Sequence, residues 1–312
     1  MGRILGPLGG LGIVVAVLLG GPYLNYVIGL AGVAVIVALG VNLLTGFTGQ
    51  VSLAHGAFYG IGAYATVLLE LKLGVPFVMA LPAGGLLAAA VGLAVSVPAL
   101  RLSGHYLALA TLGFNQVVQL VMIHWESLTN GPIGLRVPGF SRLGGLSAVQ
   151  TSALIIVVCA LVLYWVAANI VHSRTGRALV AIRESEIASS AAGIHLARYK
   201  AVAFAVSAFF AGIGGGLIAQ HTLFVSPDYF GFLESVLFII MIVVGGLGST
   251  VGSVVGAVVM TALPELLGRL QEWYGIIYGG ILLVFVIAMP RGIVTLLGGR
   301  ALRRAGSGAS AP

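Results

Sequence analysis

The sequence predicts an all-α protein, a polytopic bundle of about ten transmembrane helices, and three observations carry that prediction. Hydrophobic residues make up 59% of the 312 positions and charged residues only 7%, against roughly 25% charged in an ordinary soluble domain. The charges are also unevenly spread: the stretch from Ile4 to Leu69, 66 residues long, holds none. The neutral stretches are rich in Gly, Ala, Leu and Val, and they lack the alternating ten-residue blocks of an outer-membrane barrel. A water-soluble monomer is excluded.

A membrane-spanning helix takes roughly 20 apolar residues. Dividing the neutral stretches at Gly, Pro and polar clusters gives spans near residues 4–20, 24–44, 56–71, 76–99, 105–123, 151–171, 201–220, 232–247, 250–268 and 275–295. The first has the length of a secretory signal and follows Arg3, but no small-x-small cleavage site precedes Pro22 and Tyr23, so an uncleaved span is expected. Ten spans put both termini on one side. With the N-terminus inside, 11 of the 15 Lys and Arg residues are internal, and only Lys72, Arg136, Arg142 and Arg269 lie outside. That asymmetry is the positive-inside bias and predicts an N-in, C-in topology. It also accounts for the net charge of +7 without nucleic acid. The one cysteine, Cys159, lies within a neutral stretch and has no intrachain disulfide partner.

The whole chain, 1–312, reads as a single transmembrane domain with two long non-membrane segments. Residues 124–150 are external and turn-rich, suited to packing on the outer mouth. Residues 172–200 are internal and carry five basic residues with Glu184 and Glu186. Within this segment, Glu184 to Ala192 fits a short helix that starts with acids and stops at Gly193. Residues 305–312, rich in Gly, Ser and Ala, read as a disordered tail.

The inventory excludes the common enzyme chemistries. Asp228 is the only aspartate, so a two-aspartate intramembrane protease cannot be assembled. No His-Glu-x-x-His occurs and the six histidines are scattered, so no metal site is expected. A phosphate loop needs Gly-Lys-Ser or Gly-Lys-Thr, whereas the two lysines, Lys72 and Lys200, follow Leu71 and Tyr199. The chain therefore is expected to bind no cofactor and to hydrolyse no ATP itself.

The strongest interruption of the apolar pattern runs from Thr45 to Gly56 and contains Gly49, Gln50, Ser52 and His55. A polar, glycine-broken segment survives at membrane depth only where protein or a water-filled cavity satisfies its backbone, and transport folds place substrate sites at such breaks. The alternative is a helix-to-helix turn at the internal face, with glycines used for close packing; His55 alone reads as a packing hydrogen-bonder. A second cluster, Gly245-Gly246-Leu247-Gly248 with Gly252 and Gly256, reads first as a small-residue packing surface. Thr111, Asn115 and Gln119 share one helix face, which should point into the protein. Glu234, at the outer end of the eighth span, is either a pathway residue or an interfacial acid.

Taken together, several motifs resemble the LivM-type permease subunits of branched-chain amino-acid ABC transporters. They are Gly49-Gln50-Val51-Ser52-Leu53-Ala54-His55-Gly56-Ala57-Phe58, Gly60-Ile61-Gly62-Ala63-Tyr64, and Arg101-Leu102-Ser103-Gly104-His105-Tyr106 through Thr111-Leu112. Asn130-Gly131-Pro132-Ile133-Gly134-Leu135, Ser173-Arg174-Thr175-Gly176-Arg177-Ala178, Ile182-Arg183-Glu184-Ser185-Glu186, Glu234 and Gly245 to Gly248 complete the series, over about residues 30–295. The resemblance implies an ABC importer permease fold in a bacterial inner membrane. It implies a second related permease subunit, two cytoplasmic ATPases that use the ATP, and a periplasmic or extracellular solute-binding protein. The substrate implied is a branched-chain or other hydrophobic amino acid. Urea and short amides are carried by permeases of similar appearance. A stand-alone secondary transporter or channel would want a buried carboxylate relay or charged filter, which the scarcity of central charges disfavours.

By the same resemblance the internal segment looks like the part that engages the ATPase, through Arg174, Thr175, Gly176, Arg177, Arg183, Glu184, Glu186 and Gly193. It departs from the import-permease pattern in one respect: four residues rather than three separate Glu186-Ile187-Ala188 from Gly193.

Overall fold

The computed structural model describes residues 12, 14, 16–100, 102, 104–140, 146–267, 279–280 and 292–293. Arg101, Ser103, most of the first expected span, almost all of the tenth and the tail 305–312 lie outside the described residues.

The chain is helical almost throughout. Helix α1, Pro22–Val41, starts with proline in its first turn, where the missing N–H costs nothing. Its C-terminal end is underwound into a π-helix, Asn42–Gly46. After an extended stretch come α2, His55–Leu73, α3, Phe77–Ala99, and α4, His105–His124. The external segment holds a short α5, Glu126–Thr129, a 3-10 turn, and strand β1, Leu135–Arg136. Then follow α6, Ala148–His172, α7, Arg174–Glu184, α8, Glu186–Ala191, and α9, Leu196–Thr222. Strand β2, Phe224–Val225, a 3-10 turn at Pro227–Phe230, α10, Phe232–Gly245, and α11, Thr250–Leu267, complete the order.

Eight of the ten expected spans have a described helix whose ends lie within about five residues of the expectation. The span count differs. Among the described residues five helices are long and apolar enough to cross a membrane, and a sixth crossing exists only if α10 and α11, bent by 119°, are one broken span or re-entrant pair. Length is what keeps α10 from crossing alone. At 1.5 Å per residue the 14 residues of α10 reach about 21 Å, short of a hydrocarbon core of roughly 30 Å.

Helix α9 is the central post, packed against α1, α2, α3 and α6. Its Gly-rich middle makes this possible. A Cβ on Gly212 would meet Ala88 and Gly85 of α3, and one on Gly215 would overlap the backbone of Tyr59 and Ala63 in α2. Backbones in lipid gain little from the hydrophobic effect and associate where small residues let them touch. The outer faces of α3, α4 and α6 instead expose Val78, Leu86, Leu120 and Trp165, as a lipid-facing wall does.

The turn-rich residues 124–150 also hold a strand: β1 pairs antiparallel with β2, Leu135 opposite Val225 and Arg136 opposite Phe224, tying the segment to the end of α9. Residues 172–200 hold two helices where one, Glu184 to Ala192, is expected. Ser173 caps α7 by accepting from the N–H groups of Thr175 and Gly176, and Ser185 breaks the chain and caps α8 by accepting from Ala188. Gly193 follows as expected, at φ +82°.

Candidate membrane pathway and coupling segment

The polar break between α1 and α2 is held by its own side chains. Thr45 Oγ1 donates to the Gln50 carbonyl at 3.1 Å, Thr48 Oγ1 donates to the Leu44 carbonyl, and the Ala54 N–H donates to Ser52 Oγ at 3.3 Å. Gly49 turns the chain at φ +75°, a conformation that favours glycine. Gln50 is buried, and its Oε1 has no partner among the described residues.

His55 is fully buried at the start of α2 and acts as a strut. Its Nδ1 lies 3.2 Å from the Ser52 carbonyl oxygen and its Nε2 lies 2.7 Å from Ser207 Oγ on α9. Ser207 in turn sits 2.7 Å from the Gly40 carbonyl of α1, so one imidazole joins three helices. Ser52 is likewise buried within this knot.

The face predicted on α4 does turn inward. Thr111 and Asn115 are buried, Gln119 is half-buried, and Gln116 and Val117 are exposed. Thr111 Oγ1 accepts the Leu53 N–H at 2.9 Å, and Gln119 Nε2 reaches the Pro227 carbonyl at 3.4 Å. Asn115 is at 0% exposure with neither amide atom partnered among the described residues, although buried amides normally find partners. It lies beside Gly56, whose N–H donates to Ser235 Oγ at 2.8 Å.

Glu234 stands in the first turn of α10, at its N-terminal end. It lines a cavity of about 290 Å³ together with Val33 and Ala34 of α1, Tyr59 of α2 and Phe238 of α10. Val33 and Ala34 stand midway along the 25-residue apolar stretch Pro22–Gly46, so the cavity lies beside the middle of that stretch.

The two glycine clusters meet at the other end of α10. Asn42 Nδ2 donates to the Ser249 carbonyl at 2.8 Å and to Ser253 Oγ at 2.7 Å, while its Oδ1 accepts the Gly248 N–H at 2.9 Å. Gly245, Gly252 and Gly256 serve packing, because a Cβ on any of them would overlap the facing backbone. Sequence reasoning passed over Asn42; its signal was an amide deep in an apolar stretch.

Arg183, at the end of α7, reaches this meeting point. Its Nη1 donates to the Gly46 carbonyl at 2.6 Å, and its stem lies against Gly49. The other predicted coupling residues divide into anchors and surface. Gly176 is buried against the carbonyls of Ile170 and Val171, and Glu186 pairs with Lys200 at 2.7 Å. Arg177 reaches the His172 carbonyl at 3.2 Å, and Thr175 is half-buried through its capped N–H. Arg174, Glu184 and Gly193 are exposed, and Ile187 on α8 is 85% exposed.

The family model described as "Branched-chain amino acid transport system / permease component" matches residues 23–286. The chain belongs to this family of permeases. The permease chain is 34% identical over 290 residues to the high-affinity branched-chain amino acid transport system permease protein LivM of Escherichia coli (strain K12), covering 84% of this chain and 68% of the relative. It is also 27% identical over 286 residues to the corresponding permease protein LivH of the same organism, covering 83% and 90%. The permease protein BraD of Pseudomonas aeruginosa is 25% identical over 279 residues, covering 83% and 90%. No solved structure matched the permease chain. The apolar helices make this chain a multi-pass membrane protein.

Proposed function

We propose that this chain is the LivM-like permease subunit of an ATP-driven importer for branched-chain or other hydrophobic amino acids in a bacterial inner membrane. It sits N-in and C-in, pairs with a second related permease, receives substrate from an external binding protein, and is driven by two cytoplasmic ATPases that bind the ATP. The observation that carries this reading is the hydrogen bond from Arg183 to the Gly46 carbonyl. It joins the charged internal segment to the internal end of the polar break and so offers a path by which motion outside the membrane can reach the pathway. Exposed Ile187, between Glu186 and the open Gly193 turn, supports α8 as the surface that meets an ATPase. The pathway residues are Gly49, Gln50, Ser52, His55, Thr111, Asn115, Gln119 and Glu234. His55 and Thr111 act by holding the break in place.

Reconstitution in vesicles with the second permease, the ATPases and the binding protein tests the reading. ATP-dependent accumulation of leucine is the expected result. Leucine accumulation without ATP or without the partners favours a stand-alone transporter instead.

A further inference from the structure

We infer that the cavity around Glu234 binds the ammonium group of an aliphatic amino acid, with the Glu234 carboxylate as its ion partner and the apolar wall as the seat of the side chain. This rests on the importer reading above and names the substrate contact within it.

The carboxylate is available. Among the described residues Glu234 forms no ion pair and no hydrogen bond, and no Lys, Arg or His lines the cavity. A carboxylate set in a mostly apolar wall is costly unless a cation or donor meets it. The neighbouring surface suits a cation carried on an apolar body. Tyr59, Phe230 and Phe238 line the same cavity as Glu234, and an aromatic face attracts an ammonium that comes within about 6 Å of it.

The rest of the wall fixes the substrate class. Apart from Glu234 its polar groups are hydroxyls, and Thr222 spends its own on the Ile218 and Phe224 carbonyls at 2.8 and 3.0 Å. The Tyr59 hydroxyl makes no hydrogen bond to the described residues and is free to donate to a substrate carboxylate. The volume of about 290 Å³ lies at the small end of ligand pockets, which start near roughly 300 Å³. Urea and short amides bring no cation and would leave the carboxylate unpaired in an apolar wall. A purely structural role is distinguishable: in the first turn of α10 a negative charge favours the helix end only modestly, and Gln would preserve its shape and much of that role.

The test uses the assembled complex of both permeases and both ATPases in lipid nanodiscs, without binding protein, and radiolabelled 3-methylbutylamine, an aliphatic ammonium without a carboxylate. Equilibrium dialysis should show saturable binding that leucine displaces and 4-methylpentanoate, the acid without an amine, does not. Glu234→Gln should weaken amine binding at least about tenfold, the scale of a lost charge-assisted bond, with complex assembly intact by gel filtration. Absence of amine binding by the wild type, displacement by the acid, or equal binding by Glu234→Gln overturns the inference. The wild-type competition needs no variant, so it decides the matter even if Glu234→Gln fails to assemble. ATP-driven leucine uptake, measured in parallel, judges the importer reading separately: uptake without amine binding overturns only the ammonium site.

Discussion

Arg183 donates to the carbonyl of Gly46 at 2.6 Å across 137 positions of sequence. Gly46 ends the π-helix that closes α1, where backbone carbonyls lose their helical partners. A guanidinium is suited to that place, being always charged and able to serve more than one acceptor. Asn42, one turn earlier, holds Gly248 and Ser249 from the α10–α11 bend. The 172–200 segment, the α1–α2 break and the bent α10–α11 pair therefore meet at one spot.

Proximity at this spot can be trapped. A Cβ built on Gly49 lies 3.8 Å from the Arg183 Cβ, the mean separation across a disulfide. In a Cys159→Ser background, Gly49→Cys with Arg183→Cys should oxidise to an intrachain disulfide, counted by mass spectrometry after alkylation. The positive φ at residue 49 costs roughly 1–2 kcal/mol in a non-glycine residue, which lowers yield but leaves the geometry. Two free thiols after mild oxidation would contradict the contact.

Asn42→Leu removes three hydrogen bonds and strands the Gly248 N–H. Each buried group left without a partner costs about 1–3 kcal/mol. The purified variant should therefore unfold at lower temperature than the wild type, and Ser253→Ala, which removes one of the three, should shift the transition less. An unchanged transition in Asn42→Leu would show that the amide is not structural.

Much of this was legible in the sequence, for definite physical reasons. Helix positions followed from apolar length, and the inward face of Thr111, Asn115 and Gln119 from a spacing of four. The cavity at Glu234 was not legible, because its wall is assembled from residues of α1, α2 and α10 that lie far apart in sequence. The break at Ser185 was missed because one serine serves both as the end of α7 and as the cap of α8. Asn42 escaped notice because its partners are more than 200 residues away.

Topology is testable at two exposed positions. Ile133, in the segment tied to β2, is 75% exposed, and Ile187 on α8 is 85% exposed. In the Cys159→Ser background, Ile133→Cys should react with an impermeant thiol reagent in intact cells, and Ile187→Cys only after lysis. Labelling of Ile187→Cys before lysis would reverse the N-in orientation.

The most direct measurement is leucine uptake per ATP hydrolysed in vesicles holding the full complex with Arg183→Ala. With the contact to Gly46 gone, uptake per ATP should fall about tenfold or more while the complex still assembles, and Arg183→Lys, which keeps the charge but not the planar fork, should recover part of it. Wild-type uptake per ATP in Arg183→Ala would contradict a coupling role for this contact.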